Sequence, residues 1–391
     1  MIKNQTIICL STIDWHYAKQ RHQILMEKFA QNDNQVIFVE HLGFSRQKIT
    51  DFANIARRVF RALFSSKNIR SEIKLIPNLQ IITPLVLPPQ NKLFNFINKH
   101  FFLKLLAEKL RKLADKQPIV WTYLATTTAV NLINKLDPKI LIYDCVYDAL
   151  RHPEAPKDIA QSEQKILAQA DIVLTDALYF YNHKKNFNKN VYQIPPGVDF
   201  KHFNQPAENG ELLLADIKPP RICFFGCMGR GNIRIDFDLL EFIARQKPDW
   251  SIVNIGPLVN MEVPENLAGL DNIKWLGFIS YSDLPRYLLQ CDLLILPYQL
   301  NDFTESVLPA KVFECLATGK PVVSTALPEL KPYKQYFCIA ENEQEFLNGI
   351  ESALDNDTKE NKQQRIDFAR TNTWEERFEA ICAILNSKLT E

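Results

Sequence analysis

Short apolar runs alternate with longer segments of helical period along most of the chain. TIICLS (6–11) and QVIFVE (35–40) bracket a helical stretch over 17–31. KLI (74–76), LQIIT (79–83), PIVWTY (118–123), KILIYD (139–144), DIVLTD (171–176) and VYQIP (191–195) follow. Continuously apolar strands are buried on both faces, and strands separated by helices imply right-handed crossovers into a parallel sheet. The pattern then restarts with RICFFG (221–226), WSIVNIG (250–256), IKWLG (273–277), DLLILP (292–297) and KPVVST (320–325). Between the two series lies a Pro-, Gly- and Asn-rich stretch, which places an interdomain linker at about 196–219. The expected fold is α/β, with Rossmann-like doubly wound domains over 1–200 and 215–371 facing across a cleft at their strands' carboxyl ends. The tail carries a Thr-x-x-Glu start at Thr373 and Glu376, and a helix over 372–391 is expected to pack back onto the first domain.

The length of 391 residues supports two cores, since one core rarely covers so long a chain. No stretch approaches the ~20 uninterrupted apolar residues that span a bilayer. The opening MIKNQTIICL enters a strand pattern without the cleavage site of a signal peptide, so a cytoplasmic protein is expected. The 8 cysteines are scattered, and only Cys223 and Cys227 lie close together. No zinc pattern results, and buried free thiols in a reducing compartment are expected.

Net charge is only +1, but basic residues cluster in 46–74 and 92–116, where they interleave with Phe, Ile and Leu. Such basic amphipathic helices suit peripheral contact with an anionic membrane, here the inner face of the cell membrane. The alternative is a pair of surface helices with apolar faces on the core and solvated basic faces. Nucleic acid is not an expected partner, because no binding module accompanies the charge.

The segment FTESVLPAKVFECLATGKPVVST (303–325) reads as loop, helix, turn and strand. Pro309 near the first turn and Gly319 at the stop bound a helix of about ten residues. Its N-terminus suits a phosphate, Lys311 adds a cation there, and Glu314 one turn deeper can accept hydrogen bonds from ribose hydroxyls. That outlines a nucleoside-diphosphate site. An ordinary capped helix with a solvated Lys311–Glu314 pair fits the same residues.

With these residues the chain resembles the glycosyltransferases of the two-Rossmann-domain GT-B architecture, in particular the retaining family 4. That family carries Glu-x7-Glu followed by A-x-G-K-P-V-V; here Glu314 and CLATGKPVVST (315–325) match the second half. Ser306 stands at the first Glu, with Glu305 one place earlier. A bacterial teichuronic-acid- or capsule-type subgroup, in which the first Glu is commonly absent, is similar over a longer series. The series runs STIDWHYAKQRHQ (11–23), YDCVYD (143–148), ADIVLT (170–175), PPGVDFKHF (195–203), FFGCMG (224–229) and KPDWS (247–251).

The resemblance implies transfer of a sugar from a nucleoside-diphosphate sugar to a saccharide, glycolipid or glycoprotein acceptor, with retention, in surface polysaccharide or glycoconjugate synthesis. It implies Glu314 on the ribose. Lys311, with backbone N–H groups around Ser306–Pro309, falls on the diphosphate, and either the loop brings Glu305 to the first Glu's place or Thr304 and Ser306 fill it with hydroxyls and backbone. Gly226 and Gly229 allow close backbone approach, Arg230 or Arg234 supplies a further cation, and the backbone at Phe278 lies where the family holds the base.

The first domain supplies the acceptor side. Asp14, Asp144 and Asp148 follow strands at the carboxyl edge as candidate general bases, and Trp15 and His16 as candidate acceptor contacts. Asp14 equally suits a cap for a helix near Tyr17, and Trp15 a place in the core. No metal motif follows a strand, so no cofactor and metal-independent transfer are expected. Alternative readings are a catalytically weak subunit that scaffolds a partner transferase, and a sugar-nucleotide epimerase of the same architecture.

Overall fold

The computed structural model describes residues 1–16, 19–42, 76–87, 92–151, 155–205, 212–229 and 234–391. The basic segment 46–74, most of the 74–76 strand expectation and Arg230 lie outside the described residues. The chain divides into two units: Met1–Pro195 with Phe378–Glu391, and Pro196–Arg377.

The first unit is built on a parallel sheet in the order β3-β2-β1-β4-β5-β6-β7. Its strands are β1 (Thr6–Leu10), β2 (Gln35–Val39), β3 (Leu79–Ile82), β4 (Ile119–Thr122), β5 (Ile140–Cys145), β6 (Ile172–Thr175) and β7 (Val191–Gln193). All of β1, β4, β5 and β6 is buried, as the unbroken apolar runs require for a sheet covered on both faces. The first helix begins at Arg21 rather than near Tyr17, and Gln20 and Gln23 form its capping box, so Asp14 is not its cap. The closing helix Trp374–Thr390 starts with Thr373 Oγ1 accepting from the Glu376 N–H at 3.2 Å. Within the first unit, its Phe378 meets Phe29 edge-on at 4.8 Å.

Two buried ion pairs lie within this unit. Arg21 Nε donates to Asp144 Oδ2 at 2.9 Å, Trp121 Nε1 donates to the same oxygen at 3.2 Å, and a second Arg21 nitrogen donates to the Ile194 carbonyl at 2.8 Å. The arrangement ties the first helix to β4, β5 and the segment after β7. Lys184 and Glu163 form a second buried pair at 2.7 Å, with the Tyr143 hydroxyl donating to Glu163. His22 stacks on Tyr123 at 3.6 Å with Nε2 3.1 Å from Thr12 Oγ1; burial, and then Arg21, lower its pKa to about 3.

The second unit repeats the plan, with a parallel sheet in the order β12-β10-β8-β13-β14-β15. Here β8 is Arg221–Phe225, β10 Ser251–Ile255, β12 Ile273–Trp275, β13 Leu293–Leu296, β14 Val322–Thr325 and β15 Cys338–Ala340. A separate two-stranded piece pairs β9 (Met228–Gly229) with β11 (Leu258–Val259). The expectation of free, buried thiols holds for Cys9, Cys145, Cys315 and Cys382 and is corrected for the other four. Cys223 and Cys291 form a disulfide, while Cys227 and Cys338 are exposed. The pair joins β8 to a residue two places before β13, two segments that adjoin in the sheet but not in sequence.

Two predictions follow from the buried charges. Asp144→Ala leaves the Arg21 guanidinium uncompensated and is expected to cost about 3–5 kcal/mol in urea unfolding. His22 has a folded pKa below its unfolded value, so the stability it contributes is full above about pH 6.5 and is lost as pH falls towards 3. Between pH 6 and 4 the wild type is therefore expected to lose more stability than His22→Gln, by on the order of 1 kcal/mol per pH unit.

Candidate functional site

In the second unit the strand order reverses between β8 and β13. The carboxyl ends of strands flanking such a switch are where open α/β sheets bind ligands. A pocket at this point is lined by Phe225, Gly226, Cys227 and Met228 after β8, by Arg234, by Pro297 and Tyr298 after β13, and by Lys311.

Glycine is required at two places, one in its wall and one directly behind it. Gly226 has φ +131°, and a Cβ there would come within 2.7 Å of Lys311 Cε and 3.0 Å of Nζ. Gly256 follows β10 with φ +156°, and its Cβ would meet the Gly226 carbonyl oxygen at 2.1 Å. The Gly226 N–H donates to Ile255 O at 3.0 Å, and Gly256 bridges to Gly277, which has φ +71°. Three strand ends therefore close on one another through bare backbone, with Lys311 laid across the first. Gly229 does not share this role. It sits in β9, where an added Cβ would meet nothing nearer than Val259 O at 3.8 Å.

Lys311 and Glu314 project from the first turn of the helix Lys311–Thr318. Gly319 ends the helix with φ 73°, and its carbonyl accepts from the buried Arg365 guanidinium at 2.8 and 3.2 Å. A cation at a helix carboxyl end is electrostatically favourable, and here it also locks the helix in place. Burial raises the Glu314 pKa above its ordinary value, with Lys311 opposing the shift. Beside it, burial and then the Glu314 charge push the Tyr281 phenol up. The Lys311 ammonium also lies 5.9 Å from the centre of the Phe225 ring.

The hydroxyls of the loop before this helix bond within the loop. Thr304 Oγ1 donates to Gln299 O at 2.6 Å, and the buried Ser306 Oγ donates to Phe303 O at 3.3 Å. Both hydroxyls hold the loop's own shape. Glu305 is exposed beside them and Pro309 is buried. Arg234 reaches the pocket with its guanidinium 5.4 Å from the centre of the Phe303 ring. The segment behind Arg234 is fixed by Gln299 N–H donating to Arg234 O at 2.7 Å and Asp236 N–H to Pro297 O at 2.8 Å. Phe278 is largely exposed, directly after Gly277. Gly256, Cys227 and Tyr298 escaped sequence reasoning. Gly256 ends the strand run WSIVNIG just as Gly226 ends RICFFG, and that parallel is the signal that could have found it.

The acceptor-side candidates separate. Asp144 has 0% exposure and is spent on Arg21 and Trp121, so no substrate can reach it. Asp148 Oδ1 accepts from the Leu150 and Arg151 N–H groups at 3.0 and 3.2 Å, and its other oxygen lies 3.4 Å from Arg151 Nε. It shapes a turn. Trp15 is buried edge-on against Phe38 at 4.9 Å, with its backbone N–H donating to Glu40 Oε1, and forms core rather than an open platform. Asp14 is half-buried and His16 exposed after β1.

Two tests follow. Gly256→Ala drives a Cβ into backbone and is expected to cost roughly 3 kcal/mol or more, whereas Gly229→Ala stays within about 0.5 kcal/mol. A carboxyl whose pKa is higher folded than unfolded adds stability only at low pH, and that contribution is lost as pH rises through the folded pKa. Glu314→Gln is therefore expected to melt above the wild type at pH 7, with the difference shrinking towards pH 4.

Residues 219–356 match the family described as Glycosyl transferases group 1. Over 233 residues the chain is 30% identical to TuaH of Bacillus subtilis (strain 168), whose name assigns it to teichuronic acid biosynthesis as a glycosyltransferase. That match covers 56% of this chain, and the chain spans 57% of the relative's length. Anabaena HepE, solved with UDP and glucose, superposes with a TM-score of 0.71 at 12% identity over 98% of this chain and 100% of its own. Sucrose-phosphate synthase from Thermosynechococcus elongatus gives 0.69 at 14% identity over 99% and 100%. The chain thus has the GT-B fold of these structures, and the family match falls on residues 219–356, within the second unit.

Proposed function

We propose that this protein transfers a sugar from a nucleoside-diphosphate sugar to a saccharide or lipid-linked acceptor, with retention, during synthesis of a surface polysaccharide or glycoconjugate at the inner face of the membrane. The observation that carries the reading is Lys311 lying across Gly226 at the sheet's switch point, with Glu314 on the same helical turn. A diphosphate at the carboxyl end of β8 would meet bare backbone, the helix N-terminus and the Lys311 ammonium, with Arg234 as a second cation. Such contacts stabilise the charge that grows on the leaving diphosphate as the glycosidic bond breaks.

Glu314, deeper along the helix, would accept hydrogen bonds from the ribose hydroxyls. Those donors favour its charged form, so donor binding should strengthen as pH rises through the free protein's Glu314 pKa. With Asp144 and Asp148 committed to structure, Asp14 and His16 are the remaining acceptor-side candidates, and the departing phosphate is the proposed proton acceptor. The uridine donor is the first to try, because the similar HepE was solved with UDP and glucose.

Lys311→Ala and Glu314→Ala are each expected to lower turnover by ~10²-fold or more, with folding retained as judged by circular dichroism. Titration of UDP-sugars by thermal shift should lose its response in the same variants. Unchanged turnover in both would overturn the reading, and a folded chain that turns over no donor would favour the scaffolding alternative.

A further inference from the structure

The helix over 92–113 carries apolar side chains on its outer side as well as its inner side. Leu103, Leu106, Ala107 and Leu110 are buried and account for its seat on the first unit. Leu93 (63%), Phe96 (57%), Phe101 (61%) and Leu105 (63%) are nevertheless exposed. Four large apolar residues held in water by one helix mark a surface kept for something other than the core.

Their spacing has a structural device behind it. Leu93 and Phe96, and likewise Phe101 and Leu105, are three and four apart and share a helical face. Phe96 and Phe101 are five apart, which in an unbroken α-helix turns the second pair by about 140° from the first, at 100° per residue. A π-turn over Asn98–Phe102 takes up that excess, with Leu103 N–H donating to Asn98 O. The turn is pinned from inside by the buried Asn98, which donates to Leu87 O at 2.7 Å and accepts from Leu87 N–H at 2.8 Å. It brings the two apolar pairs back towards one outward face. Lys99, Lys104, Lys109, Arg111 and Lys112 are exposed around them, against a single exposed acid on this helix, Glu108.

We propose that this face, Leu93–Phe96–Phe101–Leu105 within its ring of lysines, docks the protein on an anionic phospholipid surface. The inference deepens the transferase reading by naming the surface that brings the enzyme to a membrane-held acceptor, and it rests on that reading for its purpose alone. The apolar residues enter the headgroup boundary, and the cations face lipid phosphates and carboxylates. Positive charge ringing the apolar face favours this occupant over a second copy of the same basic face, which would repel it.

The test is sedimentation of the full chain with vesicles, in the absence of donor and acceptor. Phosphatidylcholine vesicles with about a third phosphatidylserine should bind the protein at least tenfold more than phosphatidylcholine alone, with the gap closing in high salt. Phe96→Ser with Phe101→Ser should weaken binding by tenfold or more, and each of Lys99→Gln and Lys104→Gln by roughly fivefold. These positions are exposed, so the variants should keep the wild-type melting curve and their UDP-sugar response. Equal binding by the variants, no binding by the wild type, or a dimer in solution that Phe96→Ser dissolves would overturn the proposal. Because lipid binding and donor binding are read separately, failure of one leaves the other standing.

Discussion

The approach of Gly256 to Gly226 is the constraint on which the second unit's site depends. In a parallel sheet every strand delivers its carbonyl end to the same edge, and the two strands at a reversal of order leave that edge open. What lies there depends on how closely backbone can come to backbone. With no Cβ at either position, the turn after β8 folds under the end of β10, and Gly226 becomes a floor bare enough for the Lys311 side chain to cross. Any larger residue at Gly256 would lift that floor.

The helix that supplies Lys311 is held at its far end, where Gly319 turns into the left-handed region and Arg365 takes its carbonyl. Its near end is left to chemistry. Glu314 sits where burial works against its charge, and Lys311 only partly relieves it. A carboxylate kept under that tension favours stability less than a neutral amide would, and gains most from hydroxyl donors that arrive with a ligand. The first unit uses buried charge in the opposite way. Asp144 is paired from within, one oxygen accepting from both Arg21 and Trp121, and the pair joins a helix to strands distant in sequence.

The outer face of the 92–113 helix belongs to the same economy of form. One buried asparagine fixes a π-turn, and the turn decides which side chains meet water. An amphipathic helix of regular period would have carried Phe101 round towards its flank.

Local order was legible from residues alone. Strand after strand appears where an unbroken apolar run predicted it, because burial on both faces leaves no room for polar alternation. Lys311, Glu314 and Gly319 were found by their spacing around one helix, since capping and helical period are local rules. The tertiary structure decided what contacts across the chain decide. It placed Asp144 in a buried ion pair, Trp15 against Phe38, the Ser306 hydroxyl on its own loop, and Cys223 beside Cys291. It also gave the close-approach role to Gly256 rather than Gly229, because a glycine's necessity depends on which backbone passes it. Sequence spacing carries period and propensity; it does not carry the distance between strands that meet only after folding.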